Sequence, residues 1–182
     1  TAATQYAWTY DGTAPTASLA YTISSSAVSN VKQNDVVILT ATFTEDISDS
    51  PVMQISGSGV EAISATDMTK ASATSYTYSW TAPAGDGTQT FALATGTDAA
   101  GNAITVAPTS GATITVDNTA PTAALAYTIS SSAVSNVKQN DVVTLTATFN
   151  EDIADSPVMQ ISGSGVETIS ATDMTKASAT SY

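Results

Sequence analysis

The sequence predicts an all-β protein built from two-sheet sandwiches of about 106 residues each. Three observations support this prediction. Apolar and polar residues alternate with a period of two, as in a strand that buries one face. Clusters of Gly, Pro, Asp and Asn separate these alternating segments. A stretch of 63 residues also occurs twice within the 182-residue chain.

The repeat defines the predicted domain organisation. Residues 14–76 recur as residues 120–182, at an offset of 106 positions, with five differences among the 63 aligned positions. The differing pairs are Ser18/Ala124, Ile38/Thr144, Thr44/Asn150, Ser48/Ala154 and Ala62/Thr168. A unit of this length has the size of a self-sufficient domain rather than of a solenoid repeat. We therefore predict the tail of a preceding repeat at 1–13, a complete repeat at 14–119 and the first part of the next at 120–182.

Seven strands are predicted in the complete unit. They span about 16–23, 35–44, 51–56, 60–65, 73–81, 89–96 and 103–117, with an interruption of the last at 108–111. In the second strand Val37, Leu39 and Phe43 share one face, and Val36 and Ile38 share the other. Because Ile38 is replaced by Thr144 in the repeat, we expect the 36/38 face to be the solvated one. Seven short strands in about a hundred residues favour a sandwich of immunoglobulin-like type.

Two rows of alternating aromatic residues also need an interpretation. Tyr76, Tyr78 and Trp80 form one row, and the other is Tyr6, Trp8 and Tyr10. Such a row could stack against sugars, but a sandwich strand needs one large apolar face. We predict core packing for both rows.

Composition excludes several classes of function. The chain carries 16 acidic residues against 4 basic ones, for a net charge of −12, and contains no His and no Cys. With four cations, all of them Lys, no basic stripe can form, so we expect no nucleic-acid partner. No apolar run approaches the length of a membrane-spanning helix, and we expect no membrane insertion. The absence of His and Cys removes the commonest general base and the thiol nucleophile, and we predict that the chain is not an enzyme.

Three motifs, in order, carry a resemblance to a known family. They are Phe-Thr-Glu-Asp at 43–46, Gly-Thr-Asp-Ala-Ala-Gly-Asn at 96–102 and Val-Asp-Asn-Thr-Ala-Pro at 116–121. Together they resemble the tandem immunoglobulin-like (cadherin-like) repeats of giant secreted bacterial adhesins, including biofilm, RTX-type and gliding-motility adhesins. The resemblance covers essentially the whole chain. It implies a location that is secreted or at the cell surface, a mainly mechanical role, neighbouring repeats of the same chain as partners and, in many members, calcium between domains.

The predicted topology brings several acidic loops to one end of the sandwich. In an antiparallel seven-strand order, the turns after the second and sixth strands lie at the end where the chain enters. The residues placed there are Asp11, Glu45, Asp46, Asp98 and Asn102, and in the second copy Asp117, Asn118, Glu151 and Asp152. Asp49 and Asp155 follow in the same loops. Carboxylates brought together in this way repel one another, and no Lys lies in these loops to neutralise them.

Two interpretations of these acidic loops stay open. Asp and Asn are ordinary turn residues, and loop statistics alone favour simple turns. The shared end, the absence of nearby cations and the family resemblance together favour calcium, which accepts six to eight oxygen ligands. Magnesium suits such flexible loops less well because it requires a strict octahedron. We therefore predict calcium as the cofactor.

The leading functional prediction is a spacer or stalk segment of a large extracellular adhesin. Calcium would stiffen the junctions and so project a distal binding region. One alternative is that the repeats themselves bind carbohydrate or surfaces through many weak contacts, which would make surface glycans a partner. Another is a self-assembling filament subunit. Since residues 120–182 hold only the first four predicted strands, we also expect either a longer polypeptide or a second chain that supplies the others.

Overall fold

Every regular element described in the computed structural model is a β-strand. The model describes residues 9–154, 157–166 and 168–182. The chain divides into two compact units, unit 1 (Thr1–Asn118) and unit 2 (Thr119–Tyr182). The prediction of an all-β protein is therefore confirmed, and several sheets are present, compatible with a β-sandwich.

The described residues of unit 1 form ten strands in two sheets. Their bounds are β1 Ala17–Ile23, β2 Ser26–Ala27, β3 Asn30–Val31, β4 Val36–Phe43, β5 Gln54–Gly59, β6 Ile63–Asp67, β7 Thr69–Ser72, β8 Ser75–Thr81, β9 Gly87–Leu93 and β10 Thr113–Val116. One sheet has the order β2-β1-β4-β8-β7 and the other β3-β10-β9-β5-β6. Neighbouring strands are antiparallel except β3 and β10, which are parallel. The central pairing places Leu39 opposite Tyr21 on one side and Tyr78 on the other.

The core of unit 1 is built from both sheets. Val37 and Leu39 of β4 are fully buried, while Val36 and Ile38 are exposed, as the alternation and the Ile38/Thr144 difference predicted. From the other sheet, β9 contributes Phe91, which is 1% exposed. The Phe91 ring contacts Trp80 edge-on, with 5.4 Å between ring centroids, and it lies 5.9 Å from the Tyr21 ring. Aromatic pairs of this geometry add to the hydrophobic stabilisation, and here they connect the two sheets.

The two predicted aromatic rows differ in burial. Tyr76 and Trp80 are each 3% exposed, and Tyr78 is partly buried against the same core, so the prediction of core packing is confirmed for this row. It is wrong for Tyr10, which is 95% exposed. Alternation of residues buries one face of a strand only where another sheet lies against that face, so the alternation at Tyr10 does not by itself indicate burial. Tyr6 and Trp8 lie outside the described residues.

Several predicted strand bounds needed correction. Residues 69–72 form β7, an edge strand that the sequence did not indicate, because all four side chains are exposed and show no apolar alternation. Lys70 therefore lies on a strand and not in the predicted loop. The seventh predicted strand is regular only over β10. Upstream of β10, two isolated backbone hydrogen bonds join the chain to β1: the Thr109 amide donates to Ala17 O, and the Leu19 amide donates to Ser110 O. Gly111 follows, with a φ of +71° that L side chains rarely adopt.

Unit 2 repeats the first part of this pattern. Its strands are β11 Ala123–Ile129, β12 Ser132–Ala133, β13 Thr144–Phe149, β14 Gln160–Gly163 and β15 Ile169–Asp173. They form a β12-β11-β13 sheet and a β14-β15 pair. The pairing Ala123↔Phe149 corresponds to Ala17↔Phe43 in unit 1 at the offset of the sequence repeat. Tyr182 pairs with Ala147 through two backbone hydrogen bonds, of 2.8 and 3.0 Å.

Candidate metal centre

Glu45 is positioned by the loop that follows β4. The Thr44 amide donates to the Thr16 carbonyl at 2.9 Å, and the Thr16 amide donates to Thr44 Oγ1 at 3.1 Å. Two residues beyond Glu45, the Ile47 side chain is buried in the core and its amide donates to Ala73 O at 2.9 Å. Glu45 is therefore held between two anchored residues.

Asp98 lies in a closed turn after β9. The turn is joined by the isolated bridge between Thr97 and Ala103 and by the hydrogen bond from Asp98 N to Asn102 O, of 3.1 Å. Gly101 has a φ of +94°, which permits the reversal without strain. A further bridge connects Asp98 to Ile47, so the turn is fixed directly against the loop that carries Glu45.

Asp11 comes from the segment that enters unit 1. Its Oδ1 accepts a hydrogen bond from the Thr13 amide at 3.0 Å, which forms a short local turn. The Asp11 carbonyl accepts a hydrogen bond from Asn102 Nδ2 at 3.2 Å. The same Nδ2 donates to Asp98 Oδ2 at 2.7 Å. Asn102 therefore ties the entering segment to the turn.

These elements bring three carboxylates together. Asp11, Glu45 and Asp98 each place an oxygen within 4.8 Å of the others, and we call this group the acidic cluster. Asp11 is exposed, Glu45 is half-buried and Asp98 is only 3% exposed. A hard divalent cation accepts carboxylate oxygens at this spacing, with main-chain carbonyls and water completing its coordination. The donor set of the acidic cluster could thus hold a metal ion.

Two pKa shifts show how charge is distributed in the acidic cluster. Partial burial, with repulsion from Asp11 and Asp98, raises the pKa of Glu45 above its usual value. For Asp98, burial alone would raise the pKa, but hydrogen bonds from the Asn102 side chain and from the Asn102, Gly101 and Ala100 amides outweigh it and hold the pKa below its usual value. Asp98 is thus kept ionised by its turn, while Glu45 carries a charge that its surroundings oppose.

Other residues of the predicted set lie elsewhere. Asp46 is exposed and is not part of the acidic cluster. Asp49 forms an ion pair with Lys70 at 2.5 Å, so a cation does neutralise one carboxylate of this loop. Lys70 lies between the predicted strands at 60–65 and 73–81, and nothing in the sequence pattern indicated that its side chain reaches Asp49.

The second predicted set falls on both units. In unit 1, Asn118 accepts a hydrogen bond from the Gln33 amide at 2.5 Å and donates through its side chain to Gly85 O at 2.6 Å. In unit 2, Asp152 is exposed and Glu151 is half-buried. Among the described residues, the Glu151 Oε1 atom is shielded from solvent without a hydrogen-bond partner. A metal site formed by Asp117, Asn118, Glu151 and Asp152 stays a prediction, and Asp155 lies outside the described residues.

A partly buried polar network around Gln89 in unit 1 was not predicted. Gln89 is fully buried and exchanges two hydrogen bonds with the Glu61 backbone, of 2.8 and 3.0 Å. Glu61 Oε2 accepts a hydrogen bond from Trp80 Nε1 at 2.8 Å. The position of Gln89 on the inward face of its strand, two residues before Phe91, was the available signal. This network satisfies buried polar groups and is structural.

Comparison with known proteins adds no assignment: no protein family, curated protein or solved structure matches this chain. Over the described residues, no helix is long and apolar enough to cross a membrane. The fold and the cluster therefore define an all-β protein with a group of carboxylates at one end of its first unit.

Proposed function

We propose that this chain is a spacer segment of a large extracellular adhesin, built from tandem immunoglobulin-like repeats whose junctions are stiffened by calcium. The observation that carries the proposal is the acidic cluster, because its three carboxylates come from three separate segments. One of these segments, at Asp11, leads into the unit; the other two, at Glu45 and Asp98, belong to its folded body.

Calcium is the ion that suits this arrangement. The cluster offers only oxygen ligands, from an exposed, a half-buried and a buried carboxylate, and calcium tolerates such irregular shells better than magnesium does. Burial and the repulsion from Asp11 and Asp98 together raise the pKa of Glu45, and calcium would offset both by stabilising its ionised form. Extracellular calcium modules bind with dissociation constants of about 10⁻⁴ to 10⁻³ M, which sets the affinity we expect.

The mechanical consequence follows from where the ligands lie. Without the ion, the entering segment is tied to the unit at this end by the Asn102–Asp11 hydrogen bond. With the ion bound, Asp11 would be fixed through it to the loops that carry Glu45 and Asp98, and the segment that enters unit 1 would become less mobile. In a series of such units, each junction fixed in this way would turn a flexible string into a rod that projects a distal binding region.

Charge and sequence repetition support the same role. A net charge of −12 keeps a repetitive β protein soluble and discourages edge-to-edge association. The near-identity of the two copies fits a series of interchangeable units.

The proposal is tested by calorimetric titration of the full chain with calcium, beside thermal unfolding with and without the ion. We expect saturable binding at the acidic cluster and a rise in the unfolding temperature of unit 1, both lost in Glu45→Gln. Asp46→Asn is the matched control, because it removes the same charge from the next residue, outside the acidic cluster, and should bind calcium nearly as the unaltered chain does.

Hydrogen exchange adds the mechanical readout. Calcium should slow amide exchange in residues 9–13 and in the turn at 98–102, and Glu45→Gln should abolish this protection. No heat and no change in unfolding temperature at millimolar calcium would contradict the proposal. Binding that left exchange in residues 9–13 unchanged would contradict the stiffening mechanism.

A further inference from the structure

The first and last segments of unit 1 lie side by side and are hydrogen-bonded to each other. Three backbone hydrogen bonds join residues 15–19 to residues 105–110. They run from Thr105 N to Pro15 O at 2.8 Å, from Thr109 N to Ala17 O at 2.7 Å and from Leu19 N to Ser110 O at 3.0 Å. The bridge between Ser18 and Ser110 is parallel, so both segments run in the same direction. We call these two segments the terminal pair.

Close packing reinforces the terminal pair. The Thr109 hydroxyl donates a second hydrogen bond to Ala17 O, at 3.1 Å, and the Tyr21 hydroxyl donates to Gly111 O at 2.6 Å. The two backbones are in direct contact at Gly111, where an added Cβ would lie 1.9 Å from Leu19 O. Ala17, Leu19 and Tyr21 are buried in the core, which anchors the first segment to the rest of unit 1.

The last strand is held in the same direction further along. β10 pairs with β3 in parallel, through hydrogen bonds from Thr115 N to Ser29 O at 3.1 Å and from Asp117 N to Val31 O at 2.8 Å. The segment at 105–110 leads into β10, after which the chain leaves unit 1. The chain therefore leaves unit 1 along a strand whose partner β3 runs parallel to it.

The direction of the two segments decides how tension acts on the bonds between them. The chain enters unit 1 ahead of residues 15–19 and leaves it after β10. Because the paired segments are parallel, a pull at these two points acts at opposite ends of the terminal pair. Such a pull slides one segment past the other and loads the hydrogen bonds together. A pull at the same end of both segments would instead open the bonds one after another.

We propose that the terminal pair is a mechanical clamp, which makes unit 1 resist unfolding when the chain is stretched along its length. Resistance of this kind depends on the rate at which the native structure opens under load, and not on equilibrium stability alone. The inference rests on the proposed function in one respect, that a spacer carries tension. The clamp itself requires no metal, whereas the acidic cluster acts on the mobility of the entering segment.

The test stretches unit 1 within the full chain by single-molecule force spectroscopy in calcium-free buffer. Because the chain has no Cys, two introduced cysteines give defined attachment points. Thr13→Cys with Ala120→Cys pulls the terminal pair from opposite ends, and Thr13→Cys with Ala103→Cys pulls it from the same end; all three sites are exposed. We expect an opening force about threefold lower in the second geometry, since the three backbone hydrogen bonds are then loaded in turn instead of together.

A matched pair of substitutions gives a second readout with the pull from opposite ends. Thr109→Val removes the hydroxyl bond to Ala17 O, one of the four bonds within the terminal pair, and should lower the unfolding force by about a quarter. Thr95→Val is the control, because the Thr95 hydroxyl donates to Val52 O at 2.8 Å, outside the terminal pair. It should lower the urea midpoint about as much as Thr109→Val does and leave the unfolding force unchanged.

Two results would overturn the inference. The first is an opening force that is no higher for the pull from opposite ends than for the pull from the same end. The second is an unfolding force that falls no further in Thr109→Val than in Thr95→Val. Since all measurements are made without calcium, failure of the clamp and failure of the metal-stiffened junction are distinguished.

Discussion

Leu19 and Leu125 occupy equivalent positions in the repeat, but truncation to alanine should affect them very differently. Leu19 is 5% exposed between the two sheets of unit 1, and Leu125 is 50% exposed on β11 of unit 2. A Leu→Ala change at a buried site costs about 2–5 kcal/mol, from the lost transfer free energy and the cavity left behind. We take about 3 kcal/mol for Leu19. Half of the Leu125 side chain is already in water, which reduces the cost to about 1 kcal/mol.

Urea unfolding followed by tryptophan fluorescence separates the two variants. Both tryptophans precede residue 119, and Trp80 is buried in the core of unit 1, so the signal reports on unit 1. With a denaturant slope of about 1.5 kcal/mol per molar, Leu19→Ala should lower the urea midpoint by about 2 M. Leu125→Ala should leave this midpoint nearly unchanged. Equal shifts in the two variants would refute the reasoning, because they would mean that both leucines are buried alike.

Three further predictions concern unit 1. Glu45→Gln should raise the unfolding temperature of the metal-free chain near neutral pH. Because the pKa of Glu45 is raised in the folded state, its ionised form destabilises that state at a pH above the raised pKa. An unchanged or lower unfolding temperature by calorimetry would argue against this. The pKa of Asp98 is lowered in the folded state, so Asp98 stabilises the fold fully above its unfolded-state pKa near 3.8, and this stabilisation is lost as the pH falls through its folded-state pKa. Below about pH 4, the unaltered chain should therefore lose thermal stability more steeply than Asp98→Asn does. Gly111→Ala should destabilise unit 1 by about 3 kcal/mol or more in urea unfolding, because the new Cβ would lie 1.9 Å from Leu19 O at a φ of +71°. Gly101→Ala is the matched control: its Cβ would meet nothing within 4 Å, so it should cost only about 1 kcal/mol of backbone strain.

Some features could be predicted because local pattern determines them. The alternation in β4 fixed which face is buried, and the Ile38/Thr144 difference identified the solvated one. The convergence of Asp11, Glu45 and Asp98 followed from antiparallel order alone, since alternate turns lie at the same end. No such pattern indicated β7, whose four residues are all exposed and are held by pairing with β8.

Other features depend on tertiary contacts that the sequence does not encode locally. Leu19 and Leu125 lie in nearly identical sequences, yet their burial differs because, among the strands that the structure describes, β9 and β10 complete the core around Leu19 in unit 1 and none does so around Leu125. Tyr10 alternates with its neighbours as a core strand would, yet it is exposed. The role of Asn102 was also not predictable from its residue type, because its amide group donates hydrogen bonds to Asp11 and Asp98 and so organises the carboxylates.

The central claim is that the acidic cluster binds calcium, and anomalous diffraction from crystals grown with calcium tests it most directly. We predict an anomalous peak bonded to oxygens of Asp11, Glu45 and Asp98 at about 2.3–2.6 Å. If the three side chains were instead separated by water, with no peak between them despite excess calcium, the metal-stiffened spacer would be contradicted.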